Sequence, residues 1–285
     1  MKPHYEFALA MLGGFALGAA TLEGIRAQAK PPAYVISDIH LGHAPAEVER
    51  ALLQFLRALP GRAGSLMING DLFEFWFEWK RVVPRSGVRA LAALMDLRDA
   101  GLPVTMIAGN HDCWGGDVLR EAGVDFVEGP WTGTLGGWQA RVEHGDGLRA
   151  KEDRGYRALR KVLRNRFAIR AFRSLHPDWA TRLAMGSSQT SRNYQPRDEG
   201  RGLREVARTT LASNAALELL IYGHSHVAAL ERMPDGNVYA NAGSWLTAPT
   251  YLRVTPQRIA LREWRDSAEG PDLHAFDRVT EKALS

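Results

Sequence analysis

The sequence has little cysteine, little excess charge of either sign, and no long apolar run. Cys113 is its only cysteine, so an internal disulfide and a thiolate metal cluster are both excluded. The 36 Lys and Arg residues nearly balance the 32 Asp and Glu residues, for a net charge of +4. This balance permits an anionic partner such as a phosphate, a nucleotide or an acidic lipid, and does not require nucleic acid. The 285 residues can bury a full core, as one large domain or one domain with an insertion.

The N-terminal segment is the only stretch with features of a targeting signal. Residues 7–20 are apolar and rich in small residues, and Ala27-Gln28-Ala29 has the small-x-small form of a signal-peptidase site. The run is shorter than the roughly 20 apolar residues of a membrane span. We expect residues 1–32 to be a leader outside the folded domain, with a signal, an anchor and a miscalled start left open. We expect the protein in the cytoplasm, with export through residues 1–29 as the alternative.

Strand-like and helix-like patterns alternate along the rest of the chain, which indicates an α/β sandwich. Short apolar runs predict strands at 34–36, 65–68, 103–107, 138–142 and 219–222, and helical spacing predicts helices at 46–59 and 88–100. Later runs at 238–240, 244–246, 251–254 and 259–264 favour short antiparallel strands. We therefore place one domain at 33–265 and expect residues 266–285, which are polar without a clear period, to be a loose tail.

Residues 148–213 differ from their surroundings and predict a helical insertion, called the cap below. Arg154, Arg157, Lys161 and Arg164 follow one another at i, i+3, i+7 and i+10, and apolar residues approximate another face. For most of these arginines, a solvated helix packed on the core is the simpler interpretation. As a group they suit a substrate with both diphosphate and acyl chains, or an anionic membrane surface. Arg157, Lys161 and Arg164 are our candidate substrate-binding cations.

Polar side chains follow five of the predicted strands, and ligand sites in α/β sheets form beyond such strand ends. The candidates are Asp38, His40, Asp71, Asn110, His111, Asp112, His144, His224 and His226. Asp, Asn and His without a thiolate suit a divalent metal such as Mn, Fe, Co or Zn better than Ca or Mg. The set is too large for one ion. Two ions sharing a carboxylate would use all the ligands and would activate a water for attack on phosphorus.

The same residues carry a family resemblance. Asp38-x-His40, Gly70-Asp71, Gly109-Asn110-His111-Asp112, His144 and Gly223-His224-x-His226 resemble, in order, the motifs of the calcineurin-like metallophosphoesterases. The resemblance implies a four-layer αββα sandwich with a helical cap insertion, and two divalent ions, for which we expect Mn2+. It implies that Asp38, His40, Asp71 and His226 hold one ion, and that Asp71, Asn110, His144 and His224 hold the other. It also implies that His111 stabilises the phosphate or acts as general acid, with Asp112 orienting its imidazole.

An aromatic run after Asp71 bears on the substrate. Phe73, Phe75 and Phe77 alternate as in an ordinary core, but Trp76 and Trp79 add more aromatic surface than one strand face can bury. We therefore expect Phe75, Trp76 and Trp79 to form a wall for an acyl chain or a base. The protein phosphatases of the superfamily have Asp-Arg-Gly after this motif, and this chain does not.

This aromatic run, the cap after His144 and the Gly243-Ser244-Trp245 segment together resemble the UDP-2,3-diacylglucosamine pyrophosphatases of lipid A synthesis. The resemblance implies cleavage of a diphosphate to UMP and a diacylglucosamine phosphate, with peripheral contact to the inner membrane through the cap. One residue departs from the pattern, since the best-known branch of that family has Arg where this chain has His111.

Three other functions remain open at this stage. A nucleotide or phospholipid phosphodiesterase of the same superfamily is the first alternative. A nuclease is less favoured because the positive charge gathers in the cap instead of along a groove. A non-catalytic, metal-stabilised scaffold would require a defective ligand set, and none is visible in the sequence.

Overall fold

The computed structural model describes residues 27–149, 153–192, 198–265 and 268–279, and residues 1–26 of the expected leader lie outside this range. The strands of this part are β1 (Ala27–Ala29), β2 (Ala33–Ile36), β3 (Ser65–Asn69), β4 (Val104–Ile107), β5 (Val124–Val127), β6 (Trp131–Leu135), β7 (Trp138–Val142), β8 (Leu219–Tyr222), β9 (Ala229–Arg232), β10 (Val238–Asn241), β11 (Thr250–Val254), β12 (Arg258–Arg265) and β13 (Ala268–Asp277). The helices are α1 (Ala46–Ala58), α2 (Val88–Asp99), α3 (Asp117–Glu121), α4 (Arg154–Leu163), α5 (Arg166–Arg173), α6 (Pro177–Arg192) and α7 (Arg201–Ala212).

The strands form two mixed sheets. One has the order β13-β12-β11-β2-β3-β4-β5, with β2, β3, β4 and β5 parallel. The other has the order β1-β6-β7-β8-β10-β9, with β7, β8 and β10 parallel. The parallel strands carry the predicted site residues at their C-terminal ends, so the topology brings these residues to the same edge of each sheet.

The two sheets pack face to face between two helical layers, which confirms the αββα sandwich. Alternate side chains of a strand point to opposite faces, so Val35 packs between the sheets while Tyr34 and Ile36 pack toward α1 and α2. In the other sheet Leu219 and Ile221 face the first sheet, and Leu220 and Tyr222 pack against α7. Strands buried on both faces explain why the runs are continuously apolar instead of alternating.

Four expectations about the chain's organisation are corrected. The polar segment from 266 is not a loose tail, since β13 pairs antiparallel with β12 over Ala268–Asp277. Ala27–Ala29 is not part of an unstructured leader, because it pairs with β6 as an edge strand. Residues 244–246 form a loop, not a strand. Helix α7 lies inside the predicted cap range but belongs to the sandwich, because Leu203, Ala207 and Leu211 pack on β8 and β10.

Helices α4, α5 and α6, called the cap helices below, are the other helices of the insertion in the part of the chain that the structure describes. Phe172 and Ala180 of these helices pack on Phe75, Phe77 and Trp79 of the core. At the base of the insertion, Arg149 is paired with Asp153 at 2.7 Å and with Asp198 at 3.5 Å, which ties the two ends of the insertion together. No helix among the described residues is long and apolar enough to cross a membrane.

Candidate metal centre

The predicted ligands come together where the C-terminal ends of the parallel strands meet. Asp38 and His40 follow β2, Asp71 follows β3, and Asn110 follows β4 in the seven-stranded sheet. His144 follows β7, and His224 and His226 follow β8 in the six-stranded sheet. Side chains up to 188 positions apart therefore lie in two adjoining clusters, in which the ligand atoms are within 4.8 Å of one another.

The first cluster contains Asp38, His40 and His226. His226 Nε2 lies 3.4 Å from Asp38 Oδ1 and 3.1 Å from His40 Nε2. Two imidazole nitrogens and a carboxylate oxygen that point toward a common position form the donor set of a divalent cation. This residue set fits the first ion of the predicted pair and is called the first site below.

The second cluster contains Asp71, His144 and His224, with Asn110 beside it. His144 Nε2 lies 3.1 Å from Asp71 Oδ2 and 3.2 Å from Asn110 Oδ1. These residues fit the second ion and are called the second site below. His111 and Asp112 follow Asn110 directly but have no part in this donor set.

Asp71 joins the two clusters. Its Oδ2 atom lies 3.9 Å from His40 Nε2 and 3.1 Å from His144 Nε2, and its Oδ1 atom accepts a hydrogen bond from the backbone N–H of His111. Gly109 lies directly against the Asp71 carboxylate, and a Cβ atom there would overlap it. The carboxylate is therefore placed to bridge the two sites.

The backbone at the ligands adopts a conformation that non-glycine residues rarely take. Asp38, His40, Asp71, His224 and His226 all have φ between 53° and 62°. Among the described residues, Glu199 is the only other non-glycine residue with a positive φ. Such a conformation costs about 1–3 kcal/mol per residue and persists where the surrounding structure enforces it. Because five candidate ligands adopt this unfavourable conformation, the surrounding fold holds their side chains in a fixed orientation.

The charges in the two sites depend on each other. Burial raises the pKa of Asp71, but the neighbouring imidazoles, His144 first, outweigh it and hold the pKa well below its usual range. Burial and the charge of His144 lower the pKa of His224 to about 4, so its imidazole is neutral. Burial opposes protonation of His144, but Asp71 raises its pKa well above the usual value. In the metal-free protein these shifts favour a protonated His144 beside an ionised Asp71, so a cation that binds here competes with that proton.

Hydrogen bonds behind the ligands fix the imidazole orientations. His40 Nδ1 lies 3.0 Å from Glu74 Oε2, and His144 Nδ1 lies 2.9 Å from the carbonyl oxygen of Asn69. In each ring the Nδ1 proton is thereby held by an acceptor, which leaves Nε2 free to ligate. Ser244 Oγ donates to the carbonyl oxygen of Asp38, so the Gly-Ser-Trp segment supports the first site from behind. Glu74 was missed in the sequence, where its only signal is a carboxylate inside an aromatic run.

The predicted role of Asp112 is wrong. His111 Nδ1 bonds to the carbonyl oxygen of Glu74 at 2.9 Å and is not oriented by Asp112. The Asp112 carboxylate is fully buried and accepts backbone N–H groups from Gly109, Asp71, Leu72 and Phe73. It therefore holds the loop that carries Asp71. His111 itself packs edge-on against the His40 ring, with ring centres 4.9 Å apart, and its role at the phosphate stays a prediction.

Two of the three residues predicted to form an aromatic wall line a cavity, and the binding of an acyl chain or a base there stays a prediction. Phe75 and Trp79 line a cavity between residues 75–86 and α6. Trp76 does not line it, because it stacks on Phe73 in the core below α2, with ring centres 4.3 Å apart. Gly87 makes room for it, since a Cβ there would overlap the indole. The prediction for Trp76 was wrong because the aromatic run is buried on both faces: Trp76 packs in the core, and the cap helices cover the face that carries Phe75 and Phe77.

The three candidate cations lie on α4 or directly after it, and none of them lines this cavity. Arg157 and Lys161 are exposed, and Arg164 donates to the carbonyl oxygen of Glu128 at 3.2 Å. Arg157 lies next to Gly147 in the loop after His144. The cations that line the cavity are instead Arg85 and Arg182, which the helical spacing of α4 could not reveal. A role for Arg157, Lys161 and Arg164 in substrate binding stays a prediction.

The chain is similar to several known proteins. The family model of the calcineurin-like phosphoesterases matches residues 31–228. A UDP-2,3-diacylglucosamine hydrolase of Porphyromonas gingivalis is 30% identical over 255 residues, which cover 82% of this chain and 97% of the relative. One of Neisseria meningitidis serogroup A is 34% identical over 205 residues, covering 68% of this chain and 82% of the relative. A dimetal phosphatase structure from Danio rerio has a TM-score of 0.43 and 11% identity, covering 87% of this chain and 98% of that chain.

The family model spans most of the sandwich, and the residues that it covers include both clusters of candidate ligands. The candidate ligands are buried or half-buried, share a carboxylate and suit divalent cations, which is what a metal-dependent hydrolase of phosphoesters requires. The protein is such a hydrolase, and the chain belongs to the calcineurin-like phosphoesterase family.

Proposed function

We propose that the enzyme hydrolyses UDP-2,3-diacylglucosamine to UMP and a diacylglucosamine phosphate, a step of lipid A synthesis. The observation that carries the proposal is an apolar cavity of about 550 Å³ beside the metal centre. Leu41 and Glu74, which follow ligands of the two sites in sequence, line its inner end, and Met185 of α6 lines its cap side. A phosphoester with an attached acyl chain needs both features side by side.

The cavity's composition supports an amphipathic substrate. Phe75, Trp79, Val82 and Val83 supply apolar surface suited to hydrocarbon. Arg85 and Arg182 place two positive charges in the same lining, where they can bind phosphate or sugar oxygens. A nucleotide without acyl chains would leave the apolar part of the lining in contact with water, so we favour the acylated sugar nucleotide over a simple nucleotide.

The protein's own groups position the reaction. Asp38, His40 and His226 with Asp71 would hold one ion, and Asn110, His144 and His224 with Asp71 would hold the other. When bound, the two ions, for which we propose Mn2+, would supply positive charge at the phosphate and an activated water. The Glu74 carbonyl fixes Nδ1 of His111, which leaves Nε2 of that ring to face the phosphate as hydrogen-bond donor or general acid.

Substrate profiling tests the proposal. We expect kcat/KM of the Mn2+-loaded enzyme to be at least about a hundredfold higher for UDP-2,3-diacylglucosamine than for unacylated UDP-N-acetylglucosamine, because only the former fills the apolar cavity. UMP release, followed by chromatography, measures both reactions, and a bis-aryl phosphodiester serves as the generic reference. Equal kcat/KM for the acylated and unacylated sugars would contradict the acyl-binding cavity. Preference for the generic diester would favour a nucleotide or phospholipid phosphodiesterase.

We also propose that the cap helices contact an anionic membrane surface, which would place the enzyme on the cytoplasmic side of the inner membrane. Leu159, Val162, Phe167, Trp179 and Leu183 on these helices are 51–71% exposed. Arginines alternate with them, as in Arg166, Arg170 and Arg173 of α5. An exposed apolar face with adjacent cations is the pattern of an interfacial helix. A lipid substrate could then enter the cavity directly from the bilayer.

Vesicle sedimentation tests this contact. We expect the protein to sediment with vesicles that contain phosphatidylglycerol. We expect the double variant Phe167→Asp/Trp179→Asp to lose most of that binding, because it places charge on the exposed apolar face that would enter the membrane. The control is Val88→Asp on α2, where the native side chain is 54% exposed outside the cap. Unchanged binding of the double variant, or equal loss in the control, would contradict a membrane contact through the cap helices.

A further inference from the structure

Glu74 is a buried carboxylate at the junction of three loops of the metal centre. Its backbone N–H donates to the carbonyl oxygen of Leu41, and its own carbonyl oxygen accepts from His111 Nδ1. Its side chain is about 1% exposed. The loops that carry His40, Asp71 and His111 are therefore connected through one residue.

The carboxylate of Glu74 points to the first site. Oε2 lies 3.0 Å from His40 Nδ1, and Oε1 lies 3.9 Å from His111 Nδ1. Because His40 presents Nε2 to Asp71 and His226, the carboxylate and the ion would occupy opposite sides of one imidazole ring. A carboxylate in that position fixes the tautomer and makes the ligating nitrogen more basic.

In the second site, the equivalent ligand is His144, and no carboxylate of the described residues is bonded to its Nδ1 atom. His144 Nδ1 is held by the neutral carbonyl oxygen of Asn69 at 2.9 Å, where His40 has the Glu74 carboxylate. The two histidines are otherwise comparable, since both are buried and both approach Asp71 through Nε2. The two sites thus differ in the charge of the group behind the imidazole.

We propose that Glu74 is a positioning residue that selectively strengthens the first site through His40, so that the two sites bind their ions with unequal affinity. The inference rests on the dimetal site of the proposed function and deepens it. Replacing Glu74 by glutamine keeps the size and an oxygen acceptor but removes the charge. The loss should therefore appear in the affinity of one ion.

Mn2+ titration of metal-stripped protein, followed by calorimetry and by EPR of free Mn2+, tests this in two backgrounds. In Asn110→Ala, which weakens the second site, we expect Glu74→Gln to reduce the affinity for the remaining ion by about 10–100-fold. In His226→Ala, which weakens the first site, we expect Glu74→Gln to leave the remaining affinity unchanged. Glu74→Asp, which restores the charge, should recover part of the loss in the first background.

The matched control is Glu78→Gln, four residues further along the same segment. Glu78 is also buried, but its carboxylate accepts from Trp76 Nε1 and from the N–H groups of Gly116 and Val118, away from the ligands. We expect Glu78→Gln to leave both Mn2+ affinities unchanged. Equal losses from Glu74→Gln in the two backgrounds, or no loss in either, would overturn the proposal. Because the readout is metal binding, the result holds whichever phosphoester the enzyme cleaves.

Discussion

Replacing Asp71 with asparagine is expected to lower kcat/KM for phosphoester hydrolysis by more than about a thousandfold. Oδ2 of Asp71 approaches His40 Nε2 and His144 Nε2, so it is the carboxylate that the first and second sites share. Asparagine preserves the shape and the oxygen that accepts the His111 N–H, but it removes the negative charge that both ions need. Kinetics with the UDP-sugar and with a bis-aryl phosphodiester should show the same loss.

Measuring the number of bound Mn2+ ions and the thermal stability shows whether the lower kcat/KM of Asp71→Asn comes from the metal centre or from misfolding. We expect Asp71→Asn to bind less than two Mn2+ per chain while its metal-free form unfolds cooperatively, as the wild type does. Asp96→Asn, an exposed carboxylate on α2, is the matched control and should behave as the wild type in every assay. An Asp71→Asn enzyme that keeps a tenth or more of the wild-type activity would disprove the bridging role.

The candidate ligands could be predicted from the sequence because they directly follow short apolar runs that predict strands. A strand buried on both faces must be apolar throughout, so a carboxylate or imidazole immediately after it stands out. Asp38 and Asp71 each follow such a strand within two residues, and His144 follows β7, in which buried apolar and half-buried polar residues alternate. Parallel pairing then brings distant strand ends together without any further signal.

The misplaced residues have no such local signal. Whether Trp76 faces the core or the cavity depends on α2 and the cap helices, which lie more than ten positions away. The strand β13 is mostly exposed and is held at the edge of the sheet by antiparallel backbone pairing with β12, which leaves no apolar pattern in its sequence to predict a strand. Because Asp112 follows His111 in sequence, we predicted a contact between their side chains, but the Asp112 carboxylate accepts backbone N–H groups instead.

Asp112→Ala is expected to destabilise the fold by about 3–6 kcal/mol, because it leaves several buried backbone N–H groups without an acceptor. The two shortest of its bonds, from Gly109 and Leu72, are both 2.8 Å. At roughly 2–4 °C per kcal/mol for a domain of this size, the midpoint of thermal unfolding should fall by about 6–24 °C. Calorimetry of the metal-free protein measures this without involving the ions.

His111→Gln separates this role from the one that the sequence suggested. The His111 ring makes one hydrogen bond to the Glu74 carbonyl, worth about 1 kcal/mol, so its loss should shift the unfolding midpoint by only a few degrees. Its effect should fall on kcat instead, by about 100-fold or more if the imidazole stabilises or protonates the reacting group. If Asp112 acted through His111, the two variants would share the kinetic defect and the stability of Asp112→Ala would be normal. Asp112 accepts hydrogen bonds from four backbone N–H groups, so we expect the opposite result. The main defect of Asp112→Ala should be a lower stability of the fold, because the loop that carries Asp71 loses these hydrogen bonds.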